Sequence, residues 1–421
     1  MSRMMEAMIR RAKRVKFLKR AYQSAIQPYV QSHISEITPF TPRESGNTSR
    51  RINLLVPSIN QIHLFGGIST AIQFYNQVLY HFDETKRRII TTDAAPEEHD
   101  LISFSEYKVT SPDQDPDLDF QLVPFNDRYN KTIPVGPHDI FIVTSWWTAY
   151  FAQRIVQWQS NFYNQEPNKI IYFIQDYEPG FYAWSSQYAL ADSTYRYLGP
   201  QVAVFNSSLL RDYFVNQGYT FKQSYCFEPR LNNLLKSKLI ANNETEKKKK
   251  ILIYGRPSVS RNAFPLIMEA LRVWVWKCPN ASEWEVISAG EQHEDIGIGN
   301  GVIVKSKGKM TLDEYAEELK TSSIGISLMI SPHPSYPPLE MAHFGMNVIT
   351  NNYANKDLSK YHSNIVSLDD ISPENIAEKL TDLCIQSPSK PSQREISHFT
   401  SLYLGNSSQF DFLRELVNDF K

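Results

Sequence analysis

From residue 51 onward, short apolar runs alternate with stretches in which apolar residues recur at helical spacing. After the first run, apolar residues stand at positions 68, 71, 72, 75, 78 and 79, as on one face of a helix. This alternation is typical of βαβ units, in which the strands form a parallel sheet. In the first half of the chain it predicts buried strands at 52–56, 140–144, 170–175 and 201–206.

A second series of apolar runs follows a polar, lysine-rich segment at 242–250, and such a break in composition is expected at a domain boundary. We therefore predict an α/β protein with two doubly wound, Rossmann-like domains, whose parallel sheets face a cleft and bind ligands at the carboxyl ends of their strands. The strands of the second series are predicted at 251–254, 284–289, 302–305, 324–328, 347–350 and 364–368. The predicted parts of the chain are a basic helical extension at 1–50, an N-terminal domain at 51–240, a C-terminal domain at 241–400, and a last helix at 401–421 that can pack back on the N-terminal domain.

The charge balance separates the first residues from the rest of the chain. The net charge of the 421 residues is −1, which argues against a nucleic-acid-binding protein. Residues 1–20, in contrast, carry eight basic residues and one acidic residue, 8 − 1 = +7. No apolar run reaches the roughly 18 residues of a membrane span, and no signal-peptide core follows the basic residues. We expect a cytoplasmic protein whose basic helix either lies on the inner face of the membrane or packs on its own domain; a mitochondrial presequence is a third reading.

Three loops that follow predicted strands carry residues suited to a phosphorylated ligand. Gly66-Gly67 precedes the first helix, where the backbone can approach an anion closely, although a Gly-Gly pair also serves as a plain structural turn. Arg256 and Arg261 follow the strand at 251–254 and Gly255, and guanidinium groups offer paired donors to a diphosphate. The lysines at 305, 307 and 309 follow the strand at 302–305, and one of them could reach the same phosphates.

Two further stretches combine acids, aromatic residues and prolines. In Ser331-Pro-His333-Pro-Ser335-Tyr336-Pro-Pro-Leu-Glu340, prolines suit a first helical turn, so Glu340 is predicted near a helix start. There its carboxylate either holds a ligand hydroxyl or caps the helix. In Asp176-Tyr177-Glu178, at the end of the strand at 170–175, acids and an aromatic ring can bind the hydroxyls and faces of a sugar. The chain has no zinc-binding histidine pair and no phosphate-loop lysine motif.

These residues together resemble the GT-B glycosyltransferases of the family-4 type. The stretches YFIQDYEPGFYAWSSQYALADSTYRY at 172–197 and PHPSYPPLEMAHFGMNVITN at 332–351 are similar, more narrowly, to bacterial rhamnosyltransferases that build S-layer glycans. The resemblance covers about residues 50–420. It implies transfer of L-rhamnose from dTDP-L-rhamnose to a growing, lipid-linked glycan, with retention of configuration and without a metal or other cofactor.

The resemblance also assigns roles to individual residues. Arg256 and Lys309 would hold the diphosphate and act on the leaving group, with Gly255 and Arg261 beside them. Tyr336 would lie at the donor, and Glu340 would bind the deoxyribose hydroxyl. The two glycines, Gly66 and Gly67, would let the first domain close over donor and acceptor, and Asp176, Tyr177 and Glu178 would lie on the acceptor side.

Two departures from the family pattern keep other readings open. The glutamate that many family-4 enzymes carry eight positions before Glu340 is Pro332 here, so His333, Ser335 and Tyr336 would take over its sugar contacts. The usual basic pair ends in lysine, and here it ends in Arg261. A GT-B relative that binds nucleotide sugars without transferring them is therefore the main alternative, and a GT-B sugar-nucleotide epimerase is a third.

Overall fold

The structure is a computed structural model that describes residues 33–60, 66–82, 85–240, 245–386, 398–406 and 408–420. It divides into two units, and the first, which ends at Pro39, has one described element, the 3₁₀ turn Ser35–Ile37. The predicted basic helix at 1–20 lies outside the described residues. All elements named below belong to the second unit, Phe40–Lys421. No helix in the described ranges is long and apolar enough to cross a membrane.

The first half of this unit is built on a sheet of eight parallel strands in the order β10-β9-β8-β7-β2-β3-β5-β4, while β1 and β6 form a separate parallel pair. Five helices connect or follow these strands. The strands are β1 (Thr41–Glu44), β2 (Arg51–Val56), β3 (Lys86–Thr91), β4 (Lys108–Val109), β5 (Phe120–Pro124), β6 (Thr132–Val135), β7 (Asp139–Val143), β8 (Ile170–Ile174), β9 (Gln201–Phe205) and β10 (Gln223–Cys226). The helices are α1 (Gly67–Tyr80), α2 (Trp146–Tyr163), α3 (Ser186–Tyr195), α4 (Ser208–Asn216) and α5 (Asn233–Ile240).

The second half is built on a seven-stranded sheet in the order β13-β14-β12-β11-β15-β16-β17, in which only the β13–β14 pair is antiparallel. Its strands are β11 (Lys248–Gly255), β12 (Glu285–Gly290), β13 (Ile296–Gly299), β14 (Val302–Gly308), β15 (Ser322–Ile326), β16 (Asn347–Asn351) and β17 (Ile365–Leu368). Its helices, with the two that end the described chain, are α6 (Phe264–Lys277), α7 (Leu312–Thr321), α8 (Tyr336–His343), α9 (Pro373–Gln386), α10 (His398–Tyr403) and α11 (Leu413–Asn418). The predicted fold class, two Rossmann-like domains with parallel sheets, is confirmed.

Strands β2 and β7 each begin one residue before their apolar run, at a charged residue that is paired. Arg51 and Asp139, which flank the runs at 52–56 and 140–144, are buried and joined by two hydrogen bonds of 2.7 and 2.8 Å. Arg88 of β3 lies 3.3 Å from the same carboxylate. Burial alone would raise the pKa of Asp139, but the two guanidinium groups lower it below its usual value. A buried charge is tolerated when it is paired in this way, so β2 and β7 can begin inside the core.

The structure differs from the predicted domain limits at three places. Thr41–Glu44, within the predicted helical extension, forms β1 and pairs with β6. Helix α5, which the prediction places in the N-terminal domain, packs on the second sheet through Leu235 and Leu239, so the chain crosses over before residue 240. The last segment holds two short helices rather than one. Tyr403 of α10 belongs to the core of the second domain, whereas α11 packs beside α1 and the first sheet.

Each sheet has a point where its strand order reverses, and parallel α/β proteins bind ligands in the crevice at that point. In the first sheet the crevice lies at the carboxyl ends of β2 and β7, which are neighbours although β3 follows β2 in sequence. In the second sheet it lies at the carboxyl ends of β11 and β15, because β11 has β12 on its other side. The loops at 255–261 and 327–335 leave the second sheet there, and they contain five of the predicted site residues, Gly255, Arg256, Arg261, His333 and Ser335.

Candidate functional site

The loop after β11 places a cation beside a second one from the end of β14. Gly255 ends β11, and a Cβ there would overlap Ser288 Oγ of the neighbouring strand, so a side chain could not be accommodated without movement. Arg256 is half-buried and follows directly. The pKa of Lys309 is lowered, first by partial burial and then by the guanidinium of Arg256 nearby. Two cations that destabilise each other in this way form a place where an anion is favoured.

The extent of β14 distinguishes the three lysines that the sequence left open. The strand continues to Gly308, three residues beyond the predicted end, so Lys305 and Lys307 are strand residues rather than loop residues. Both lie on its exposed face, where Lys305 Nζ is 3.6 Å from a carboxylate oxygen of Glu285. Only Lys309 follows the carboxyl end of the strand.

A carboxylate from the loop after β12 contacts the loop that carries Arg256. Glu291 follows β12, and its Oε2 accepts a hydrogen bond of 2.9 Å from the Ser258 amide. This bond and, to a smaller extent, the Arg256 cation lower the pKa of Glu291. Glu291 therefore fixes the conformation of the loop that carries Arg256, since it holds the backbone two residues further on.

Glu340 is half-buried in a pocket that tyrosines line. It is the fifth residue of α8, beyond the first turn, and Ser335 stands at the N-cap position, so Glu340 does not cap the helix. Burial raises the pKa of Glu340 to about 7, although the Tyr315 hydroxyl beside it acts in the opposite direction. Burial, and then this carboxylate, raise the pKa of Tyr336 to about 12 and that of Tyr403 well above its usual value. The pocket thus holds a carboxyl group that changes its charge near neutral pH.

The loop between β15 and α8 is held in a strained conformation by its own hydrogen bonds. Ser335 has a φ of 66°, a left-handed conformation that a non-glycine residue adopts only at a cost of about 1–3 kcal/mol. Its amide donates to Nδ1 of His333 at 2.9 Å, and the His333 amide donates to Ser331 Oγ at 3.1 Å. Burial lowers the pKa of His333 to about 4, so the imidazole is neutral at pH 7 and carries its proton on Nε2. His333 can therefore act as a neutral donor.

Asp176, after β8, joins the first sheet to this loop. It is buried, and its Oδ1 accepts hydrogen bonds from Ser331 Oγ and, at 2.8 Å, from the Tyr177 amide. Its Oδ2 is 3.4 Å from Arg261 Nε of the second domain. The carboxyl ends of the two sheets therefore meet at Asp176. Arg261 also contacts the ring of Phe181, whose centre is 4.3 Å from its guanidinium carbon.

The other two predicted acceptor-side residues, Tyr177 and Glu178, form hydrogen bonds within the first domain. The Tyr177 hydroxyl is 3.0 Å from the Tyr219 hydroxyl, and its ring packs on Phe214. Glu178 is buried, and its Oε2 accepts hydrogen bonds from the Trp146 amide at 2.6 Å and the Tyr195 hydroxyl at 3.0 Å. Burial raises the pKa of Glu178 to about 8, with these hydrogen bonds acting in the opposite direction. Glu178 thus links the loop after β8 to the start of α2.

The predicted glycine pair lies at the reversal point of the first sheet. Gly66 has a φ of 59° and precedes α1, whose first residue is Gly67. A Cβ at Gly67 would overlap the side-chain oxygen of Gln175, which follows β8. A side chain at position 67 would therefore displace the end of the Gln175 side chain, whereas glycine at position 66 is favoured by the backbone conformation.

Sequence reasoning missed two residues that hold the loop after β15. The ammonium of Lys356 is buried and donates to the Met329 carbonyl at 2.6 Å. The Asn351 side chain accepts from the Met329 amide at 2.7 Å and donates to its carbonyl at 3.1 Å. Burial lowers the pKa of Lys356 to about 7, and the nearby Asp176 acts against this shift. The only signal in the sequence was their place at the end of a strand, in the stretch NNYANK.

The protein has two parallel α/β domains whose strand ends face each other. Arg256 and Lys309 supply cations at the strand ends of one domain, and the buried carboxyl of Asp176 lies where the two domains meet. These features define a protein of the GT-B glycosyltransferase fold. Comparison with known families then gives the particular one. Residues 51–208 match the N-terminal domain of WsaF and residues 249–381 match its C-terminal domain. The chain belongs to the WsaF family, which confirms the resemblance to GT-B glycosyltransferases noted from the sequence.

Solved structures show the same fold at low sequence identity. The α,α-trehalose 6-phosphate synthase of Burkholderia multivorans is 9% identical with a TM-score of 0.54, over 89% of this chain and 96% of that one. The N-terminal domain of Candida albicans trehalose-6-phosphate phosphatase is 11% identical with a TM-score of 0.55, over 88% and 98%. At such identities the likeness concerns the fold alone.

A relative by sequence is the O-antigen biosynthesis protein RfbC of Myxococcus xanthus. It is 29% identical over 245 residues, which make up 58% of this chain. The chain covers only 18% of the length of that relative.

Proposed function

We propose that this protein is a glycosyltransferase that transfers L-rhamnose from dTDP-L-rhamnose to a growing cell-surface glycan carried on a lipid. The observation that carries the proposal is the pair of Arg256 and Lys309 at the carboxyl end of the second sheet. A diphosphate between them would neutralise two cations that otherwise raise each other's energy. The half-buried carboxyl of Glu340, in the same domain, would accept a hydrogen bond from the 3′-hydroxyl of the donor's deoxyribose.

The proposed chemistry needs a site for a negatively charged leaving group. In the transfer, the bond between the anomeric carbon of rhamnose and the diphosphate oxygen breaks, and its electron pair leaves with dTDP. A hydroxyl oxygen of the acceptor forms the new bond to the same carbon, and its proton passes to the departing diphosphate. Arg256 and Lys309 would stabilise the charge that develops on the diphosphate, which is the role we propose in place of a metal ion. We also propose that the anomeric configuration of the sugar is retained, because the resemblance to family-4 glycosyltransferases implies retention.

The residues beside the diphosphate would orient the sugar. The neutral His333 can donate from Nε2, and the strained Ser335 starts α8 next to Tyr336. These groups would replace the glutamate that the family pattern has at position 332. From the facing domain, Gly66 and Gly67 would allow close approach to the bound donor.

The relatives support a glycan acceptor. RfbC of Myxococcus xanthus is named for O-antigen biosynthesis, a process that builds a cell-surface polysaccharide. Membership of the WsaF family agrees with this assignment, because the resemblance noted from the sequence is to enzymes of S-layer glycans. We accordingly propose a glycan of a bacterial surface as the acceptor.

Incubation of the purified protein with dTDP-L-rhamnose and a rhamnosyl acceptor tests this proposal. We expect a product longer by one rhamnose, formed equally with and without EDTA, whose anomeric configuration by NMR matches that of the donor. Donor binding without transfer would instead indicate a nucleotide-sugar-binding relative. A changed sugar nucleotide formed without acceptor would indicate an epimerase. Calorimetry with dTDP, UDP and GDP adds a separate check. A preference for UDP or GDP would contradict dTDP-L-rhamnose as the donor but would leave the proposed glycosyltransferase activity standing.

The basic segment at 1–20 is proposed to bring the protein to an anionic membrane surface that carries the acceptor. At about 1 kcal/mol for each basic residue near such a surface, several of its eight cations suffice for reversible binding. Removal of residues 1–20 should abolish sedimentation with anionic liposomes and leave dTDP binding unchanged. Unchanged sedimentation would favour a helix that packs on its own domain.

A further inference from the structure

An exposed aromatic surface follows the end of β8. It consists of Phe181, Trp184 and Tyr188, and we call it the aromatic platform. The Trp184 side chain is 93% exposed, the highest fraction among the large hydrophobic side chains that the structure describes. Phe181 is 37% exposed. Burying an indole ring is strongly favourable, so a tryptophan held this far in water indicates a binding surface.

The platform is held in place by the domain behind it. The rings of Trp184 and Tyr188 are stacked, with centroids 5.4 Å apart and planes at 23°. The Tyr188 amide donates to Ser185 Oγ at 3.2 Å, and this N-cap fixes Tyr188 in the first turn of α3. Behind it lies Tyr177, whose pKa is raised by burial and by the Tyr219 and Tyr188 hydroxyls. The indole stacks on an anchored tyrosine ring, and its large exposed surface is open to a ligand.

The platform begins where the two sheets meet. Phe181 lies under the guanidinium of Arg261, 4.3 Å from its ring centre, and Arg261 contacts Asp176. Trp184 is three residues further along, so its Cα is within about 11 Å of that of Phe181. The platform thus lies within reach of the place where the carboxyl ends of the two sheets meet.

The chain segment that forms the platform has no charged side chain, and the Arg261 guanidinium that lies over Phe181 is paired with Asp176. Residues 179–191, PGFYAWSSQYALA, contain no lysine, arginine, histidine, aspartate or glutamate. They do offer hydroxyl and amide groups at Ser185, Ser186 and Gln187. A membrane surface is usually bound by aromatic residues together with cations. A sugar ring, in contrast, has an apolar C–H face that suits the negative face of an indole, and hydroxyls at its rim that suit neutral donors and acceptors.

We propose that the aromatic platform is a binding subsite for the acceptor glycan, with a sugar ring stacked on Trp184. The ligand class is a neutral chain of hexoses or 6-deoxyhexoses, bound by residues one or more sugars away from the reacting end. This assignment deepens the proposed function and rests on it for the identity of the ligand. It predicts that long acceptors bind more tightly than short ones.

Glycan binding without donor tests the proposal in the full chain. The probes are methyl L-rhamnoside and linear di- and tetrasaccharides of L-rhamnose, with Kd measured by calorimetry. We expect the parent protein to bind the tetrasaccharide more tightly than the monosaccharide. Trp184→Ala should raise Kd for the tetrasaccharide about tenfold, which corresponds to 1.4 kcal/mol, and Trp184→Phe should recover most of the loss.

The matched control is Trp276→Ala, because Trp276 is also largely exposed, at 72%, but lies on α6 of the second domain. This variant should bind the tetrasaccharide as the parent does, and all variants should keep the melting temperature and the dTDP affinity of the parent. Parent-like tetrasaccharide binding by Trp184→Ala, equal losses in both tryptophan variants, or no glycan binding by the parent would overturn the proposal. Loss of vesicle sedimentation in Trp184→Ala alone would also overturn it, in favour of a membrane contact.

A transfer assay separates this inference from the proposed function. Transfer from dTDP-L-rhamnose by Trp184→Ala should show a raised KM for the tetrasaccharide and an unchanged kcat, since the ring does not touch the reacting atoms. If the parent transfers no rhamnose while tetrasaccharide binding still depends on Trp184, the proposed function fails and the glycan subsite stands.

Discussion

The carboxylate of Asp176, at the end of a strand in the first sheet, lies 3.4 Å from Nε of Arg261, which belongs to the second. The same carboxylate accepts a hydrogen bond from Ser331, in the loop that leads to α8. A single buried acid therefore connects the facing edges of both domains. Because it contacts two loops of the donor side, its loss should affect the stability of the folded unit and the arrangement of the site.

Asp176→Asn should lower the free energy of unfolding by about 1–3 kcal/mol, because the amide keeps the shape but leaves the Arg261 charge without its partner. Urea unfolding followed by circular dichroism measures this effect. Glu269→Gln is the matched control, since Glu269 forms an exposed ion pair of 2.8 Å with Arg272, and exposed pairs contribute little. A loss in Glu269→Gln as large as in Asp176→Asn would contradict a special role for the junction.

Arg256→Ala and Lys309→Ala should each reduce kcat/KM by on the order of 2–4 kcal/mol in transition-state stabilisation, the range known for groups that stabilise a developing negative charge. Both residues lie in loops, so the urea midpoint should remain that of the parent. Lys305→Ala is the matched control, because this lysine of the same strand lies on its exposed face beside Glu285. Transfer rates with dTDP-L-rhamnose measure all three variants. Near-parent rates in either loop variant would remove that residue from the phosphate site.

The two-domain fold could be predicted because its strands are continuous apolar runs, and a run such as 170–174 can only be buried on both faces of a parallel sheet. Strands with charged or mixed residues escaped the prediction. β3 contains Arg87 and Arg88, and the burial of Arg88 depends on Asp139, which is 51 residues away. Such pairing is a tertiary effect and leaves no local pattern.

The sequence predicts which loops carry the residues of the candidate site. It predicts less well which residues contact each other. Strand ends and prolines indicate where Arg256 and Glu340 lie in the chain. They do not indicate that Arg261 faces Asp176, or that Lys356 holds the Met329 carbonyl, since both contacts join segments far apart in sequence. The extent of β14 was also underestimated, because alternating lysines on an exposed strand face look like a polar loop.

Glu178→Gln should change the pH dependence of stability in a defined direction. Burial raises the pKa of Glu178 to about 8 in the folded protein, above its ordinary value of 4.5. Between these two values the folded state holds more protons than the unfolded state, so the contribution of Glu178 to stability is lost as the pH rises towards 8. Glutamine does not titrate. The variant should therefore gain roughly 3–5 kcal/mol relative to the parent between pH 4.5 and pH 8.

Urea midpoints of the two proteins at several pH values measure this difference. The hydrogen bonds from the Trp146 amide and the Tyr195 hydroxyl can both be accepted by the glutamine oxygen, so the comparison isolates the ionisation. Curves for parent and variant that run parallel from pH 5 to pH 8 would mean that Glu178 is ionised throughout this range.

Glu340→Gln should weaken dTDP binding in a pH-dependent way. Burial raises the pKa of Glu340 to about 7, so the group is mostly neutral at pH 6 and mostly ionised at pH 8. A hydrogen bond from the deoxyribose hydroxyl to a carboxylate is stronger than one to a neutral carboxyl group. At pH 8 the variant should therefore bind dTDP about 5- to 150-fold more weakly than the parent, which corresponds to about 1–3 kcal/mol. At pH 6 the difference should be much smaller.

Calorimetry of dTDP binding at pH 6, 7 and 8 distinguishes this effect from the titration of the nucleotide itself, whose terminal phosphate has a pKa of about 6. That titration acts equally on parent and variant, so only the ratio of their Kd values reports Glu340. A hydrogen bond that favours the ionised carboxyl also lowers its pKa, so binding at pH 7 should release up to about half a proton more from the parent than from Glu340→Gln. Buffers of different ionisation enthalpy measure this release. A Kd ratio that stays constant from pH 6 to pH 8, with equal proton release in both proteins, would place the deoxyribose away from Glu340.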